Sequence, residues 1–306
     1  MGKTTRYLEG LTDLTEVQNS VKFKQNVRQT NNSNNAKNVR RVDKIPYRNI
    51  KTLGSGGFGT VFLVEDNNGN EFAMKQIEIP KENRNKNVKM VINEIEIQKS
   101  LSEDPKCNTG IVCVYDYFYV GDYESFYIIM EYINNKFSEI IGKKQIVTKA
   151  FTQALQVLDY IHKSGVLHRD IKPENMFFDG RNIKFSDFGI SCLINSCSGR
   201  PGTRTYIDPY CLVNDLNITK PFSDVYSLGI AFYEIYYGKA YFDYSPVKAN
   251  YEQYYEDFGN ERDVRDSKKI PTLLYNMINP FDPEERPSIQ DALGMIQRQN
   301  SRLFIS

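Results

Sequence analysis

The sequence contains 306 residues, of which 40% are hydrophobic and 25% are charged, and its formal net charge is +1 at pH 7. This composition is that of an ordinary globular protein, and the length allows one large domain or two lobes with a sizeable core. The balanced charge provides no general attraction to nucleic acid or to an anionic membrane surface. We therefore expect no nucleic-acid binding and no membrane insertion.

The cysteines and the amino terminus bear on the compartment. The five cysteines are an odd number without a Cys-x-x-Cys pair, which favours reduced thiols over a disulfide framework or a zinc site. The chain opens without an apolar signal segment, and no stretch approaches the roughly 18 apolar residues of a membrane-spanning helix. Gly2 suggests myristoylation, but Arg6 stands where that motif has Ser or Thr. We therefore expect a cytoplasmic or nuclear protein.

The amino-terminal part of the chain differs from the rest. Residues 1–42 are polar and contain an Asn-rich tract, which predicts a mostly disordered extension because little apolar surface is available to offset the ordering entropy. Short β-like runs joined by glycine-rich turns follow. They predict three sequential antiparallel strands, at 47–53, 61–65 and 71–79. Apolar residues at helical spacing then predict a helix at 87–101.

A glycine-rich segment, G-S-G-G-F-G-T-V at residues 54–61, lies between the first two predicted strands. Glycines let a backbone approach phosphate closely, and Phe58 at the tip can cover the site from water. A dinucleotide-binding fingerprint would open a helix instead, and no Gly-Lys-Thr follows as in a Walker loop. In the third strand, Ala73 and Lys75 share a face, which suits a purine beside the small residue and phosphates beside the ammonium. The alternative for Lys75 is a solvated edge residue.

Two motifs further along the chain carry chemistry: L-H-R-D-I-K-P-E-N at residues 167–175 and D-F-G at 187–189. In the first motif, Asp170 can accept the proton of an attacking hydroxyl, and Lys172 can place its ammonium on a moving phosphate. A polar loop with a few solvated charges is the alternative interpretation. Five fixed residue types at one spacing make chance a poor explanation.

The same two motifs contain metal ligands. Asn175 and Asp187 offer the oxygen atoms that suit Mg²⁺. Apolar runs at 176–178 and 183–185 flank a D-G-R-N turn signal, which predicts a hairpin that returns Asn175 and Asp187 to the same end. The sequence therefore predicts a phosphoryl-transfer centre.

Together, the glycine-rich segment, Lys75 and the two motifs resemble the eukaryotic-type protein kinase family over about residues 47–300. The resemblance implies an α+β bilobal fold inside a kinase domain spanning 43–306. A small antiparallel β-sheet lobe with one helix is expected at about 47–131, and a larger, mainly helical lobe at about 132–300. The resemblance also implies that ATP and Mg²⁺ are the cofactors.

Site residues follow from the same resemblance. The expected catalytic residues are Asp170 as the base, Lys172, Lys75, and an ion-pair partner of Lys75 on the helix. Glu94 fits the family's helix best as that partner, and Glu96 is the alternative. The expected metal ligands are Asn175 and Asp187. The residues expected to bind ATP, including the hinge at 130–133, are Leu53, Gly54, Ser55, Gly56, Gly57, Phe58, Gly59, Val61, Ala73, Lys75, Met130, Glu131, Ile133 and Phe177.

Substrate class follows from Lys172, because tyrosine kinases usually have Ala-Ala-Arg or Arg-Ala-Ala in that segment. The resemblance thus implies protein substrates with Ser or Thr acceptors. Glu174 suits a basic residue upstream of the target, whereas Phe137 stands where basophilic kinases often carry a second glutamate. Residues 241–258 are rich in Tyr and acidic groups and suggest either a docking surface or a polar helix-loop segment.

The segment from Asp187 to Tyr210 resembles the activation segment of the family. A phosphate on it would order the loop over Arg169, delivered by an upstream activating kinase or by autophosphorylation. Ser196 and Ser198 are the favoured acceptors. Thr203 instead resembles the hydroxyl that contacts Asp170 and Lys172.

The chain departs from the family pattern at two positions. Gln98 follows Glu94 by one turn where the family has an apolar residue, and a buried amide costs free energy unless it is hydrogen-bonded. Asp-Pro-Tyr at 208–210 replaces Ala-Pro-Glu, so Arg286 must pair with Asp208 or another carboxylate, or be more exposed. These departures give some support to a pseudokinase-type nucleotide-binding scaffold as the alternative function. Phosphotransfer to a small molecule is a second rival.

The resemblance gives both histidines packing roles, so neither is expected to be the general base. His162 matches a family strut to an aspartate, here Asp224, and His168 matches a packing residue.

Overall fold

The fold comes from a computed structural model of the chain, in which the described residues are 40–57, 59–104, 107–121, 124–134, 137–141, 143–194, 196–199, 201–213, 220–238, 272–278 and 283–298. The chain divides into two compact units. The first runs to Asn134 and also takes in Phe185–Gly189, and the second holds Asn135–Lys184 and the chain from Ile190 onward. This division confirms the predicted α+β bilobal fold. The predictions for residues 1–39, for Phe58 and for 241–258 lie outside the described residues.

A six-stranded sheet dominates the first unit. Its strands are β1 (Arg41–Val42), β2 (Arg48–Gly56), β3 (Gly59–Glu65), β4 (Glu71–Glu78), β5 (Val114–Val120) and β6 (Ser125–Glu131). They lie in the order β1-β5-β6-β4-β3-β2. Neighbouring strands are antiparallel except β1 and β5, which are parallel. The three predicted strands are present as β2, β3 and β4.

The β1 edge of this sheet adds a strand that the sequence does not predict. β1 is parallel to β5, with its two residues opposite Tyr119 and Val120, so the sheet is antiparallel except at this edge. β1 lies at the end of the extension that is predicted to be mostly disordered, and that disorder stays a prediction for the rest of the extension. Arg40 supports the edge, because its carbonyl accepts the Tyr119 N–H at 3.0 Å and its guanidinium pairs with Asp116. A two-residue strand has no periodicity that a sequence pattern can detect.

Alternation along β4 sorts its side chains between the two faces of the sheet. Met74 lies in an apolar cluster on one face. The cluster consists of Val64, Met74, Phe118, Val120, Tyr127 and Ile129. Ala73 and Lys75, its two neighbours, therefore point to the opposite face, as predicted. The register places Ala73 opposite Met130 and Lys75 opposite Ile128 of β6.

A helix, α1 (Arg84–Leu101), belongs to the same unit. It begins three residues before the predicted start and ends where predicted. Its buried residues are Val91, Ile92, Glu94, Ile95, Ile97, Gln98 and Leu101. Burying a carboxylate or an amide is costly without a partner. Glu94 and Gln98 must therefore meet specific groups inside the unit.

The second unit is mainly helical. Its helices are α2 (Lys144–Lys163), α3 (Pro209–Val213), α4 (Pro221–Tyr237), α5 (Thr272–Met277) and α6 (Ile289–Arg298), with 3₁₀ turns at Phe137–Ile140 and Pro173–Asn175. The short strands are β7 (Val166–Leu167), β8 (Met176–Phe178), β9 (Ile183–Phe185), whose last residue belongs to the first unit, and β10 (Cys192–Leu193). β8 pairs with β9 and β7 pairs with β10. The predicted hairpin is present as β8–β9, and Asp179 Oδ1 closes its turn by accepting the Arg181 and Asn182 N–H groups.

Helix α4 forms the core of this unit and is buried along almost its whole length. Pro221 stands in its first turn, where the missing N–H costs nothing. Gly238 ends the helix at φ 68°, and its N–H donates to the Glu234 carbonyl at 2.8 Å. A helix that is apolar on all sides is expected to be buried, which agrees with the burial of α4.

Two disulfides contradict the prediction of reduced thiols. Cys107 is bonded to Cys113 and Cys192 to Cys197, with Cα–Cα distances of 5.8 and 5.3 Å, whereas Cys211 is free and buried. Odd counts and the missing Cys-x-x-Cys motif were poor guides, because spacings of five and six residues can also bring two Cα atoms within disulfide range. The predicted cytoplasmic or nuclear location is therefore no longer supported by the state of the cysteines.

Within the described residues, no helix is long and apolar enough to cross a membrane.

Gly229 in α4 provides a test of close packing in the second unit. A Cβ built there would lie 2.7 Å from Ile278 Cγ2 and 3.1 Å from Met277 Cβ. Gly229→Ala is expected to lower the free energy of unfolding, because overpacking costs about 1–3 kcal/mol and the gain in helix propensity is only about 1 kcal/mol. Thermal unfolding measures the change.

The matched control is Gly294→Ala in α6. There the added Cβ would meet the flexible end of Arg298 at 3.2 Å, which can move aside. This variant is expected to keep or raise the melting temperature. Equal stability of the two alanine variants would contradict the packing argument.

Candidate active site

A buried ion pair occupies the centre of the first unit. Lys75 Nζ lies 2.5 Å from Glu94 Oε1 and 2.9 Å from Asp187 Oδ1, and Lys75 and Glu94 are each 5% exposed. Burial alone would lower the pKa of Lys75, but the Glu94 and Asp187 carboxylates raise it above its ordinary value. Lys75 therefore stays an ammonium. Of the two carboxylates considered on α1, Glu94 is the one that makes this pair.

The D-F-G motif is anchored to the first unit through the backbone before it. The Phe185 N–H donates to the Gly110 carbonyl, and the Val112 N–H donates to the Phe185 carbonyl, both at 2.9 Å. Asp187 has φ 62°, in the left-handed region, and Phe188 is fully buried. A non-glycine residue in this region is held there by its surroundings, and such positions cluster at functional sites.

Gln98 is hydrogen-bonded despite its burial. Its Nε2 donates to the Val112 carbonyl at 2.9 Å and lies 3.6 Å from Met130 Sδ. The cost expected for a buried amide is thus offset. Because Val112 also donates to Phe185, Gln98 supports the same backbone that carries the D-F-G motif. This departure from the family pattern therefore does not disturb the site.

The glycine-rich segment turns between β2 and β3, where Gly56 and Gly59 are paired in register. Gly59 has φ 115°, and a Cβ there would lie 2.1 Å from the Gln76 carbonyl oxygen, so only glycine fits. A cavity of about 440 Å³ lies beside the segment and reaches Glu94 and Gly189. Its other lining residues are Gly56, Gly57, Gly59, Thr60, Gln76, Ile77, Glu78, Ile79, Pro80, Asn87, Met90 and Val91.

Cross-strand register brings most of the remaining predicted ATP-binding residues of the sheet together. One row contains Gly54, Val61 and Lys75, and the next contains Ala73 and Met130. Leu53 and Ser55 lie in β2 beside the first row, and Glu131 and Ile133 lie at and just after the end of β6. The remaining predicted ligand, Phe177, is half-buried in β8 of the second unit.

In the second unit, Asp170 is the centre of a dense hydrogen-bond network. Its Oδ2 accepts from Asn175 Nδ2 and pairs with Lys172 Nζ, both at 2.9 Å. Its Oδ1 accepts from Thr203 Oγ1 at 2.7 Å and from the Thr203 N–H at 3.0 Å. Lys172 Nζ also donates to Thr203 Oγ1 at 2.8 Å, which confirms the predicted role of that hydroxyl.

These contacts set the charge of Asp170. Burial would raise its pKa, but the hydrogen bonds from Lys172 and Thr203 and the Lys172 charge bring the pKa below its usual value. The carboxylate is therefore ionised at neutral pH. A buried, ionised carboxylate beside a cation is able to take a proton from a hydroxyl placed next to it.

The loop that carries Asp170 is fixed by Asp224 at the start of α4. Asp224 Oδ2 lies 2.9 Å from His162 Nε2 and accepts the His168 N–H, and Oδ1 accepts the Arg169 N–H. Burial would raise the pKa of Asp224, but the His162 hydrogen bond and charge hold it below its ordinary value. The predicted strut is therefore confirmed for His162. His168 is fully buried, and its Nδ1 accepts the Asp170 N–H at 3.3 Å, which fits a packing residue.

Asp208 takes the place of the glutamate partner that the family pattern has and this chain lacks. Its carboxylate accepts from Arg286 Nη1 at 2.7 Å and from Nη2 at 2.9 Å, and both side chains are buried. Phe222 and Tyr226 cover the guanidinium, with ring centroids 5.6 and 5.1 Å from its carbon. Of the three possibilities left open by the sequence, pairing with Asp208 is the one realised.

Sequence reasoning missed the contact between Tyr206 and Glu234. The Tyr206 hydroxyl donates to Glu234 Oε2 at 2.5 Å, and the Tyr206 carbonyl accepts from Ser227 Oγ at 2.7 Å. Both contacts tie the end of the activation segment to α4. Glu234 gave no sequence signal, because a single acidic residue in an apolar helix has many possible roles.

Comparisons with known proteins agree with this arrangement. A family model described as "Protein kinase domain" matches residues 47–295. The chain is 31% identical over 256 residues to the cell cycle serine/threonine-protein kinase CDC5/MSD2 of Saccharomyces cerevisiae. The aligned region covers 80% of this chain and 35% of that protein.

Two Dictyostelium discoideum proteins show similar identity. They are a probable serine/threonine-protein kinase PLK (30% over 261 residues, 81% of this chain and 26% of the relative) and a probable serine/threonine-protein kinase nek3 (30% over 272 residues, 81% and 23%). The chain therefore spans only about a quarter to a third of the length of these relatives.

The Asp208–Arg286 pair yields a test of stability. Asp208→Ala leaves the Arg286 charge buried without its carboxylate and is expected to lower the free energy of unfolding by about 3–5 kcal/mol. The double variant Asp208→Ala/Arg286→Met removes both charges and is expected to recover part of that loss. Denaturant unfolding at neutral pH measures both.

A more exposed pair provides the control. Asp159 pairs with Lys163 at 2.7 Å on α2 and accepts from Gln290 Nε2 at 2.8 Å, and the Lys163 side chain is 53% exposed. Because Asp159→Ala leaves behind only a lysine that water can reach, it is expected to cost clearly less than Asp208→Ala. A double variant no more stable than Asp208→Ala alone would show that the loss does not come from an unpaired charge.

Proposed function

Because the chain belongs to the protein kinase family, we propose that it is a serine/threonine protein kinase that transfers the γ-phosphate of ATP to a Ser or Thr hydroxyl of a protein. The observation that supports this most is the Asp170 network. An ionised, buried carboxylate is held by a lysine, an amide and a hydroxyl within one loop and its neighbouring segment. This is the set of groups that phosphoryl transfer requires at the acceptor side.

Asp170 acts as the general base in this proposal. As the acceptor oxygen bonds to phosphorus, the hydroxyl proton passes to the Asp170 carboxylate, and the bond from phosphorus to the leaving diphosphate oxygen breaks. Lys172 Nζ, 2.9 Å from Asp170, neutralises charge on the transferred group. Thr203 holds the carboxylate toward the acceptor and helps to keep it ionised.

The nucleotide is bound by residues of the sheet and the glycine-rich segment. The glycine-rich segment lines the cavity of about 440 Å³ with Gly56, Gly57 and Gly59, so its backbone N–H groups are the proposed phosphate cradle. Lys75, aimed by Glu94, takes the α- and β-phosphates. Adenine lies along Ala73 and the backbone of the hinge.

Asn175 and Asp187 would hold Mg²⁺, which supplies positive charge to the phosphate oxygens when bound. Their amide and carboxylate oxygens fit an ion that takes one or two protein ligands and completes its shell with phosphates and water. Within the described residues, no group of three or more His, Cys, Asp or Glu side chains is placed to hold a metal.

No observation favours the scaffold alternative. Gln98 and Tyr210 were its two supports. Gln98 is hydrogen-bonded to Val112, and Arg286 is paired with Asp208, so neither departure leaves the site incomplete.

The proposed partners are ATP, protein substrates, and an activating kinase. That kinase is either an upstream enzyme or the chain itself, and it acts on Ser196 or Ser198, both of which are exposed. A cytoplasmic or nuclear location stays a prediction.

The test is transfer of radiolabelled γ-phosphate from Mg·ATP to a generic basic protein, followed by phosphoamino-acid analysis. Label on Ser or Thr is expected with the wild-type chain. Asp170→Asn is expected to lower kcat by about 10²–10⁴-fold, because it removes the base while keeping the shape of the side chain. Lys75→Met is expected to abolish transfer as well, through loss of phosphate binding.

The isosteric control is Asp43→Asn, which changes an exposed carboxylate before β2 and is expected to leave transfer unchanged. Wild-type protein that transfers no phosphate, also after treatment with an activating kinase, would overturn the proposal. Retention of transfer by Asp170→Asn would overturn the assignment of the base.

A further inference from the structure

The disulfide between Cys192 and Cys197 lies in the activation segment, next to the catalytic loop. Cys192 belongs to β10, and β10 pairs with β7, with Cys192 opposite Leu167 and Leu193 opposite Val166. β7 leads directly into His168 and the residues that follow it. One end of the disulfide is therefore fixed to the strand that positions the catalytic loop.

The other end of the disulfide, Cys197, directly precedes two residues whose backbone carbonyls bind Arg169. Ser198 and Gly199 follow Cys197 directly, and their carbonyl oxygens accept from Arg169 Nη2 at 2.8 and 2.9 Å. Arg169 Nη1 lies 3.3 Å from Cys192 Sγ and 3.4 Å from the Ile190 carbonyl. Residues on either side of the disulfide in the chain therefore contact the two terminal nitrogens of the guanidinium.

Arg169 depends on these neutral acceptors for its partners. The residue is 9% exposed, and its Nε has no hydrogen-bond partner among the described residues. A buried cation needs hydrogen-bond acceptors, because desolvation is otherwise uncompensated. Backbone carbonyls can do this only if the segment that carries them is held in place, and the disulfide closes a short loop immediately before them.

The two disulfides differ in the exposure of their cysteines. Cys192 and Cys197 are both partly exposed, whereas in the other disulfide Cys107 is partly exposed and Cys113 is 3% exposed. The free Cys211 is 4% exposed, and burial raises the pKa of its thiol to about 11, so it is a poor nucleophile for disulfide exchange. Small thiols can therefore approach Cys192–Cys197 from either cysteine, and Cys107–Cys113 only from Cys107.

We propose that Cys192–Cys197 is a redox-active disulfide that regulates the site by holding the Ser198 and Gly199 carbonyls on Arg169. This regulation rests on the proposed kinase function. The oxidised form is the ordered one, with Arg169 Nη2 hydrogen-bonded to the two carbonyls and Thr203 placed on Asp170. Reduction frees residues 196–199, removes the acceptors of Arg169 and lowers phosphoryl transfer.

The redox step is a thiol–disulfide exchange with a small disulfide such as oxidised glutathione. One cysteine thiolate attacks that disulfide and releases one small thiol, forming a mixed disulfide on the protein. The second thiolate then attacks the protein sulfur and releases the second small thiol. Two electrons pass from the two cysteines to the oxidant, and their two protons end on the released thiols.

The experiment equilibrates the full chain in buffers with different ratios of reduced to oxidised glutathione. Differential alkylation and peptide mass spectrometry measure the oxidised fraction of each cysteine pair. Hydrogen exchange measures the Ile194 and Ser196 amides, which donate to the Gly165 and Leu193 carbonyls in the oxidised structure. Phosphoryl transfer is assayed in the same samples.

The oxidised fraction, the hydrogen-exchange rates and the phosphoryl-transfer rate are expected to change at the same ratio of reduced to oxidised glutathione. Reduction of Cys192–Cys197 should speed exchange at Ile194 and Ser196 and lower transfer about fivefold or more. Reoxidation should reverse both. The double variant Cys192→Ser/Cys197→Ser should stay at the reduced level in every buffer, whereas the matched control Cys107→Ser/Cys113→Ser should keep the wild-type response.

Two results would overturn the proposal. The first is Cys192 and Cys197 remaining reduced in the most oxidising buffer. The second is a disulfide that titrates without any change in exchange or transfer. Failure of the proposed function is a separate outcome: a wild-type chain that transfers no phosphate in any buffer, also after treatment with an activating kinase, would refute that function and, with it, the regulation. The alkylation and exchange data would still decide whether the disulfide orders residues 196–199. Both measurements use the wild-type chain, so they do not depend on whether the serine variants fold.

Discussion

The second unit depends on one buried carboxylate, Asp224. It accepts two consecutive backbone N–H groups of the catalytic loop and the ring of His162, and it is 1% exposed. Those contacts hold Arg169 at φ 72°, a conformation that costs free energy for any residue except glycine. The turn forced at Arg169 sets the direction in which Asp170 leaves the loop. A carboxylate at the start of the most buried helix therefore orients the chemistry.

The first unit solves a different problem, the placement of a buried ammonium. Lys75 lies in a central strand, and its charge is stable there only because Glu94 and Asp187 approach from α1 and from the D-F-G motif. The backbone that brings Asp187 is in turn fixed through Phe185 and Val112, and Gln98 completes that connection. A change in any of these contacts would alter how Lys75 meets a nucleotide.

Local patterns anticipated much of this structure for physical reasons. Asp170, Lys172 and Asn175 lie within six residues of each other, so their mutual contacts follow from one loop. Ala73 and Lys75 share a face because alternation in a strand is a property of the backbone. Thr203 and His162 were assigned from motif positions, and the structure gives both the contacts expected. The β2, β3 and β4 strands also lie where the turn signals placed them.

The sequence by itself determined the residue types of the site, the strands β2 to β4, the helix α1, the β8–β9 hairpin and the kinase resemblance, because all of these depend on short-range spacing. Only the tertiary structure decided which distant groups meet. Asp208 pairs with Arg286 across 78 residues, Tyr206 with Glu234 across 28, and Arg41–Val42 joins the edge of β5. The cysteine pairing was also decided at this level. Pairing depends on where the folded backbone places two side chains, and residue spacing alone does not fix that position.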